Sequence, residues 1–288
     1  MRILVTGSSG FIGTHLVERL NEDGHKVFGI DRVEPTNHKC DELGVGELSK
    51  YIENKVDEDL RIDAVIHLAA TVSVIEAGYR PLKSHENNAT LTLRLLGWMR
   101  GQGINKMIFA SSAAVYGDQN ESLYENNRTN PISAYGIQKL NSENYINLYN
   151  KQHGMKNVIL RLFNVFGEGQ GEKNPGVVKT FLEDGGKHSI YGDGEQTRCF
   201  VYVKDVVDAI VKSLESSATG TLNIADNEKI SINKLAVMIG GEKDYRMERA
   251  GEIRSITVST ERAGEILGWC PRVKLKDWIK EQKKYEED

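Results

Sequence analysis

The chain has 288 residues, with 37 Lys and Arg against 41 Asp and Glu and a formal net charge of −4. Hydrophobic residues at 39% and charged residues at 27% exclude a disordered chain, and the length gives one large domain or two small ones around a sizeable core. No basic block supplies the drive for sequence-independent nucleic-acid binding, and no apolar run approaches the roughly 20 residues that span a bilayer, so neither nucleic acid nor membrane is an expected partner. The three cysteines, Cys40, Cys199 and Cys270, are too far apart for a disulfide framework or a metal knuckle, and the seven histidines show no paired spacing. No metal is expected. Glycine stands out at 28, against 5 prolines, which raises the question of whether the glycines are scattered or organised.

In chain order, Arg2–Thr6 is a short apolar run that enters a turn, which leaves no room for a secretion signal; the expected location is the cytoplasm. A helical pattern over Gly10–Asn21 follows, with Phe11, Ile12, Leu16 and Leu20 at helical spacing and Gly24 as its stop. Further strands are expected at Val27–Ile30, Ala64–Leu68, Met107–Ala110 and Val158–Leu162. Helices are expected near Glu47–Asn54, His85–Arg100 and Ser133–His153. Such alternation predicts an α/β fold, a doubly wound parallel sheet with helices on both faces. A strand is also expected within 32–60, where Lys39–Leu43 is a poor match. After about Val165 turn residues become dense, and a helix is expected at Asp205–Leu214 and another near Leu275–Lys284. The sequence therefore divides into 1–166, with a return near 200–215, and a smaller mixed α/β C-terminal domain over 167–288.

Between the first strand and helix stands Thr6-Gly7-Ser8-Ser9-Gly10-Phe11-Ile12-Gly13. In this GxxGxxG spacing Gly7 allows a tight turn, Gly10 lets the backbone approach a pyrophosphate, and Gly13 lets helix and strand pack closely. The helix N-terminus offers N–H groups to phosphate. Asp31 closes the second strand, where a carboxylate accepts both ribose hydroxyls and repels a 2′-phosphate, which favours NAD over NADP; Arg32 follows it. Tyr135-Gly136-Ile137-Gln138-Lys139 puts a phenol and an ammonium on one helix face. A nearby cation favours phenolate and moves the tyrosine toward general-base duty. Ser112 follows the predicted central strand Met107–Ala110, at the carboxyl end where open α/β sheets bind ligands.

The order of glycine loop, Asp, Ser and YxxxK resembles the extended short-chain dehydrogenases/reductases, in particular the nucleotide-sugar epimerase branch typified by UDP-glucose 4-epimerase. The resemblance covers nearly the whole chain and implies a Rossmann-type cofactor domain over 1–166, a substrate domain over 167–288, and bound NAD. It places Gly7, Ser9, Gly10, Phe11, Ile12, Gly13, Asp31 and Arg32 on the cofactor. The segment His67-Leu68-Ala69-Ala70 matches the stretch lying along the dinucleotide, so Leu68, Ala69 and Ala70 join them. Asn88 supports the active site, Asp41 matches the acid that contacts adenine, and Tyr135 and Lys139 face the nicotinamide end. For the substrate, a UDP-hexose, the resemblance implies Ser112, Ala113, Tyr135, Asn164, Val177, Tyr191, Arg198, Arg249 and Glu252. The catalytic residues it implies are Ser112, Tyr135 and Lys139.

The implied reaction is 4-epimerisation through a transient 4-keto sugar. Dehydratases of this fold carry an Asp-Glu pair where this chain has Ala113 and Ala114, and alanine cannot shuttle protons. Another nucleotide-sugar oxidoreductase or epimerase of the same family and a redox-silent NAD-binding protein are the alternatives. Cys199 stands where the family usually has Asp. Family members commonly pair as homodimers through a four-helix bundle, here His85–Arg100 and Ser133–His153. Leu91, Leu95, Trp98 and Met99 supply apolar surface either to that bundle or to the monomer's own core.

Overall fold

In the computed structural model the structure describes residues 1–34, 40–53, 61–119, 121–171, 175–248 and 253–287. The first part of the chain runs β1 (Arg2–Thr6), α1 (Phe11–Glu22), β2 (Lys26–Asp31), β3 (Glu42–Val45), α2 (Leu48–Glu53), β4 (Ala64–His67), α3 (Val74–Tyr79), α4 (Pro81–His85), α5 (Leu91–Gly101), β5 (Met107–Ser112), α6 (Ala134–His153) and β6 (Val158–Leu162). It continues with β7 (Asn164–Phe166), α7 (Gly176–Glu183), β8 (Lys187–Tyr191), β9 (Thr197–Tyr202), α8 (Val203–Glu215), β10 (Gly220–Ile224), β11 (Lys229–Ser231), α9 (Ile232–Ile239), β12 (Glu242–Arg246), α10 (Glu261–Leu267) and α11 (Leu275–Glu287).

Seven strands form one parallel sheet in the order β10-β6-β5-β4-β1-β2-β3. The order reverses between β1 and β4, which makes this the switch point where the carboxyl ends open into a crevice. Successive side chains of a strand point to opposite faces, and the core follows that rule. Ile3, Val5, Ile66, Ile108 and Leu160 pack with Leu16, Val206 and Ile210 on the face covered by α1 and α8. Leu4, Phe28, Val65, Phe109 and Ile159 pack with Leu95, Met99 and Ile146 on the face covered by α5 and α6. This is the Rossmann-type doubly wound sheet expected from the sequence.

The strand sought within 32–60 is β3, a four-residue edge strand registered from Phe28↔Glu42 to Asp31↔Val45, three residues beyond where the search began. Residues 54–60 lie outside the described residues. The single helix expected at His85–Arg100 is instead α4, a π-helical turn Glu86–Thr90, and then α5. The widened turn carries Asn88, whose buried amide bridges to Thr71 and Gln138. Such turns are frequent at functional sites. Within the second part, β11, β9 and β7 form one small sheet and β12 pairs with β8 in another. A third core of Phe166, Phe181, Phe200, Leu235 and Trp278 joins them to α7, α9 and α11.

Candidate active site

The crevice at the switch point is a cleft of about 1300 Å³. At one end stands the glycine loop. Gly7 has φ +75°, and a side chain there would come within 2.7 Å of the Ala69 nitrogen. A Cβ on Gly13 would lie 2.1 Å from the Gly7 carbonyl oxygen. The loop, the end of β4 and the first turn of α1 thus meet where no side chain fits. No side chain caps the start of α1, which leaves its leading N–H groups to an anion. Asp31 lines the cleft at the end of β2, with Oδ2 accepting from the Ser9 N–H at 3.0 Å. These features fit a dinucleotide: a phosphate cradle that a Cβ would fill, and a carboxylate placed for a ribose.

Of the residues predicted for the cofactor, Gly7, Gly10, Phe11, Ile12, Gly13, Asp31, Arg32, Leu68, Ala69, Ala70, Tyr135 and Lys139 line this cleft. Ser9 does not; its N–H is on Asp31 and its hydroxyl donates to the Val33 carbonyl. Asp41 does not either. Its carboxylate accepts from the Val27 N–H at 2.7 Å and its own N–H donates to the Val27 carbonyl, so it ties the approach to β3 onto β2 rather than facing adenine. Asn88 sits behind the cleft wall in the bonds given above.

At the reaction end, α6 starts at Ala134, and the hydroxyl of Ser133 accepts from the Gly136 N–H at 3.1 Å. A Cβ on Gly136 would stand 2.5 Å from the Ala114 carbonyl, so only glycine lets α6 press against the turn Ala113–Val115 that follows β5. That approach brings Tyr135 to Ser112, which bonds its phenol and also accepts from the Ala114 N–H at 3.2 Å. Burial pushes the Tyr135 phenol up to about 12, with the Ser112 bond opposing it. Burial likewise pulls Lys139 down to about 7, with Glu143 opposing. The Lys139 ammonium donates to the Ala110 carbonyl at 2.8 Å and lies 5.9 Å from the Tyr135 ring centre.

Beneath this dyad lies a polar layer that the sequence reading missed. Glu143, one helical turn beyond Lys139, accepts from the Ser111 hydroxyl and from Arg161 Nη2 at 2.7 Å. Arg161 sits 4.6 Å from the Tyr116 ring, whose hydroxyl donates to Asn223. The adjacent serines therefore divide their work: Ser111 turns into the protein, and Ser112 turns to Tyr135. A second chain runs from Thr6 through His67 to Thr92. The Thr92 hydroxyl donates to the Asn88 carbonyl at 2.6 Å, so it accepts from His67 Nε2–H at 3.1 Å, and Nδ1 accepts from the Thr6 hydroxyl at 2.7 Å. Burial and then the Lys139 charge hold His67 down at about 3, neutral. Two signals pointed here: a glutamate at i+4 from the lysine, and an arginine inside the apolar strand Val158–Leu162.

Ala113, Asn164, Val177 and Arg198 also line the cleft. Arg198 Nη1 donates to the carbonyls of Thr197 at 2.8 Å and Ile253 at 2.7 Å. Tyr191 lies at the end of β8, away from the cleft lining. Arg249 and Glu252 lie outside the described residues. Cys199 is buried among Ile256, Val258 and Tyr116, its thiol reaching the Ile256 carbonyl at 3.6 Å, and burial pushes it up to about 12. Among the described residues no cluster of metal ligands and no helix long and apolar enough to cross a membrane is present.

The pattern of the NAD dependent epimerase/dehydratase family matches residues 3–225. The chain belongs to that family. Its cofactor is NAD, and its members act on nucleotide sugars. A curated relative, a putative UDP-glucose 4-epimerase of Methanocaldococcus jannaschii, is 37% identical, covering 96% of this chain and 96% of that one. UDP-glucuronic acid decarboxylase 1 of Xenopus tropicalis is 31% identical, covering 96% of this chain and 70% of its own length. Among solved structures, the UDP-glucose 4-epimerase of Thermotoga maritima with UDP-glucose superposes with a TM-score of 0.92 at 31% identity, covering 100% of this chain and 99% of that one.

Proposed function

We propose that this member of the epimerase/dehydratase family is a 4-epimerase of a UDP-hexose of the glucose/galactose type. The observation that carries this reading is the meeting of Ser112, Tyr135 and Lys139 in one cleft with the glycine loop and Asp31. NAD, when bound, supplies the hydride acceptor and donor for C4 of the sugar. Tyr135 takes the proton of the 4-hydroxyl, and Ser112 orients or relays it. Lys139 holds the ribose at the nicotinamide end, and its charge together with that of the oxidised nicotinamide would have to bring the Tyr135 phenol down from its buried value of about 12. The sugar turns as a 4-keto species in the wide cleft and takes its proton back from Tyr135. Ala113 and Ala114 both line the cleft and present only methyl groups, which counts against elimination of water and against a second acid–base step. Arg198, Asn164 and Val177 face the sugar nucleotide, and Arg249 and Glu252 complete its clamp.

The same reading assigns the cofactor to 1–166 with α8, and the sugar nucleotide to 167–288. It also assigns a homodimer with a seam of α5 and α6. Leu95 and Met99 are fully buried in the monomer core, so they do not serve that seam. Ile137, Tyr145 and Leu148 share one exposed face of α6 and supply apolar surface instead. The test is Tyr135→Phe. The expected result is loss of UDP-galactose epimerisation, followed by NMR, with NAD still released on denaturation in one equivalent per chain. Turnover by the variant at the parent rate would remove Tyr135 from the mechanism.

A further inference from the structure

Residues 253–259 form a strap stitched to both walls of the cleft. On the side of β9, the Thr197 N–H donates to the Arg254 carbonyl at 3.0 Å and the Ile256 N–H donates to Thr197 Oγ1 at 3.3 Å. On the side of β5, the Leu123 N–H donates to the Thr257 carbonyl at 2.8 Å and the Ser259 N–H donates to the Leu123 carbonyl at 3.0 Å. Arg254 engages both walls by itself. Its N–H donates to Asp118 Oδ1 at 3.0 Å, and its guanidinium makes a two-pronged pair with Asp193 at 2.8 and 2.6 Å. The preceding carbonyl, that of Ile253, is one of the two that hold Arg198 Nη1.

We propose that Arg254 is a positioning residue for the diphosphate of the sugar nucleotide. It sets the Ile253 carbonyl where that carbonyl aims the Arg198 fork into the cleft. This rests on the UDP-sugar reading above. The fork-to-fork pair with Asp193 fixes direction as well as distance, which a single-point ammonium does not. Both partners are half exposed, so the pair is a poor stabiliser of the fold, and its effect falls on where the strap lies. Arg198 arrives at the phosphates with one end of its guanidinium already immobilised, and less freedom is lost on binding.

The experiment measures binding of UDP and UMP by calorimetry to the NAD-loaded enzyme, and KM and kcat for the sugar nucleotide. Arg254→Ala is expected to weaken UDP by about ten-fold, near the worth of one charge-assisted hydrogen bond, with a smaller loss for UMP. The KM rises and kcat at saturation stays. Arg254→Lys recovers part of the loss. In an Arg198→Ala background, Arg254→Ala adds nothing, because the two act through one contact. Unchanged UDP affinity in Arg254→Ala, an equal loss for UDP and UMP, or the full loss persisting without Arg198 would each overturn the proposal. Arg198→Ala leaving UDP untouched overturns it at the arginine, and failure of the parent enzyme to bind UDP overturns the UDP-sugar reading itself.

Discussion

Beneath the reaction end of the cleft, Glu143 and Arg161 meet at 2.7 Å with side chains 2% and 6% exposed. At the nucleotide end, Asp193 and Arg254 meet at 2.6 Å with 56% and 49% exposed. Distance does not separate these two ion pairs; water does. Around Glu143, the Ser111 hydroxyl and two arginine nitrogens occupy the carboxylate, and the Glu125 carbonyl and the Tyr116 ring receive the rest of the guanidinium. A charge left unpaired there has no solvent to turn to. Asp193 and Arg254 can each be rehydrated at once, so their pairing directs a strap rather than holding the fold. One region is built to be rigid under Tyr135 and Lys139, and the other is built to place a main-chain carbonyl.

Removing one partner of the buried pair gives the largest effect. Glu143→Gln should destabilise the protein by about 3–5 kcal/mol in urea unfolding, because Arg161 stays charged and unpaired. Replacing both, Glu143→Gln with Arg161→Met, should recover most of that loss. It should not restore activity, since Lys139 then lacks the one group on α6 that opposes its loss of charge. A single-variant cost under about 1 kcal/mol, the range of exposed pairs, would erase the contrast between the two regions.

His67 tests the same rigid layer through pH. Its folded pKa, about 3, lies below the ordinary value, so the folded protein refuses a proton that the unfolded chain accepts. Its contribution is therefore full above about pH 6.5 and is lost as the pH falls from there toward 3. By pH 5 it removes about 2 kcal/mol, as 1.4 kcal/mol per pH unit over about 1.5 units. The ring carbons of His67 should show no NMR titration between pH 8 and 5. A ring that titrates near 6.5 would mean that water reaches the layer under Lys139.

How much of this was legible follows from how local each signal is. The glycine loop, Asp31 and the Tyr135–Lys139 pair are short spacings whose geometry is fixed by a turn, a strand end and one helical turn, and each lies on the cleft. Asp41 lies off the cleft lining because a carboxylate at the right distance along the chain carries no information about which way it faces; here it accepts from the Val27 N–H instead. The strand β3 was poorly marked since an edge strand of four residues, two of them glycine and glutamate, has little apolar pattern. The break in His85–Arg100 is tertiary in origin: Asn88 is held by Thr71 and Gln138, neither adjacent in sequence. Glu143 and Arg161 were visible as charges at positions the pattern reserves for apolar residues, and the right question was what they paired with. The strap could not be foreseen, because Arg254 bonds Asp193 across 61 residues and Asp118 across 136.

The smallest expected effect on the fold is at Asp193, and it is the one that sharpens the comparison most. Arg254 holds the Asp193 carboxyl down at about 2, below its ordinary value, so the pair is fully charged at every pH where the enzyme would work. Asp193→Asn removes the charge and keeps the shape. Since both groups are open to solvent, the urea midpoint should stay where it is. The guanidinium loses its fork partner while the Arg254 N–H and carbonyl keep their bonds to Asp118 and Thr197, so the strap loosens without detaching. The KM for the sugar nucleotide should rise by less than in Arg254→Ala, with kcat unchanged, and added salt should raise the parent's KM toward that of the variant as it screens the pair. A drop in the unfolding midpoint comparable to that of Glu143→Gln would place Asp193 among the groups that hold the fold, and the two ends of the cleft would then differ in exposure alone.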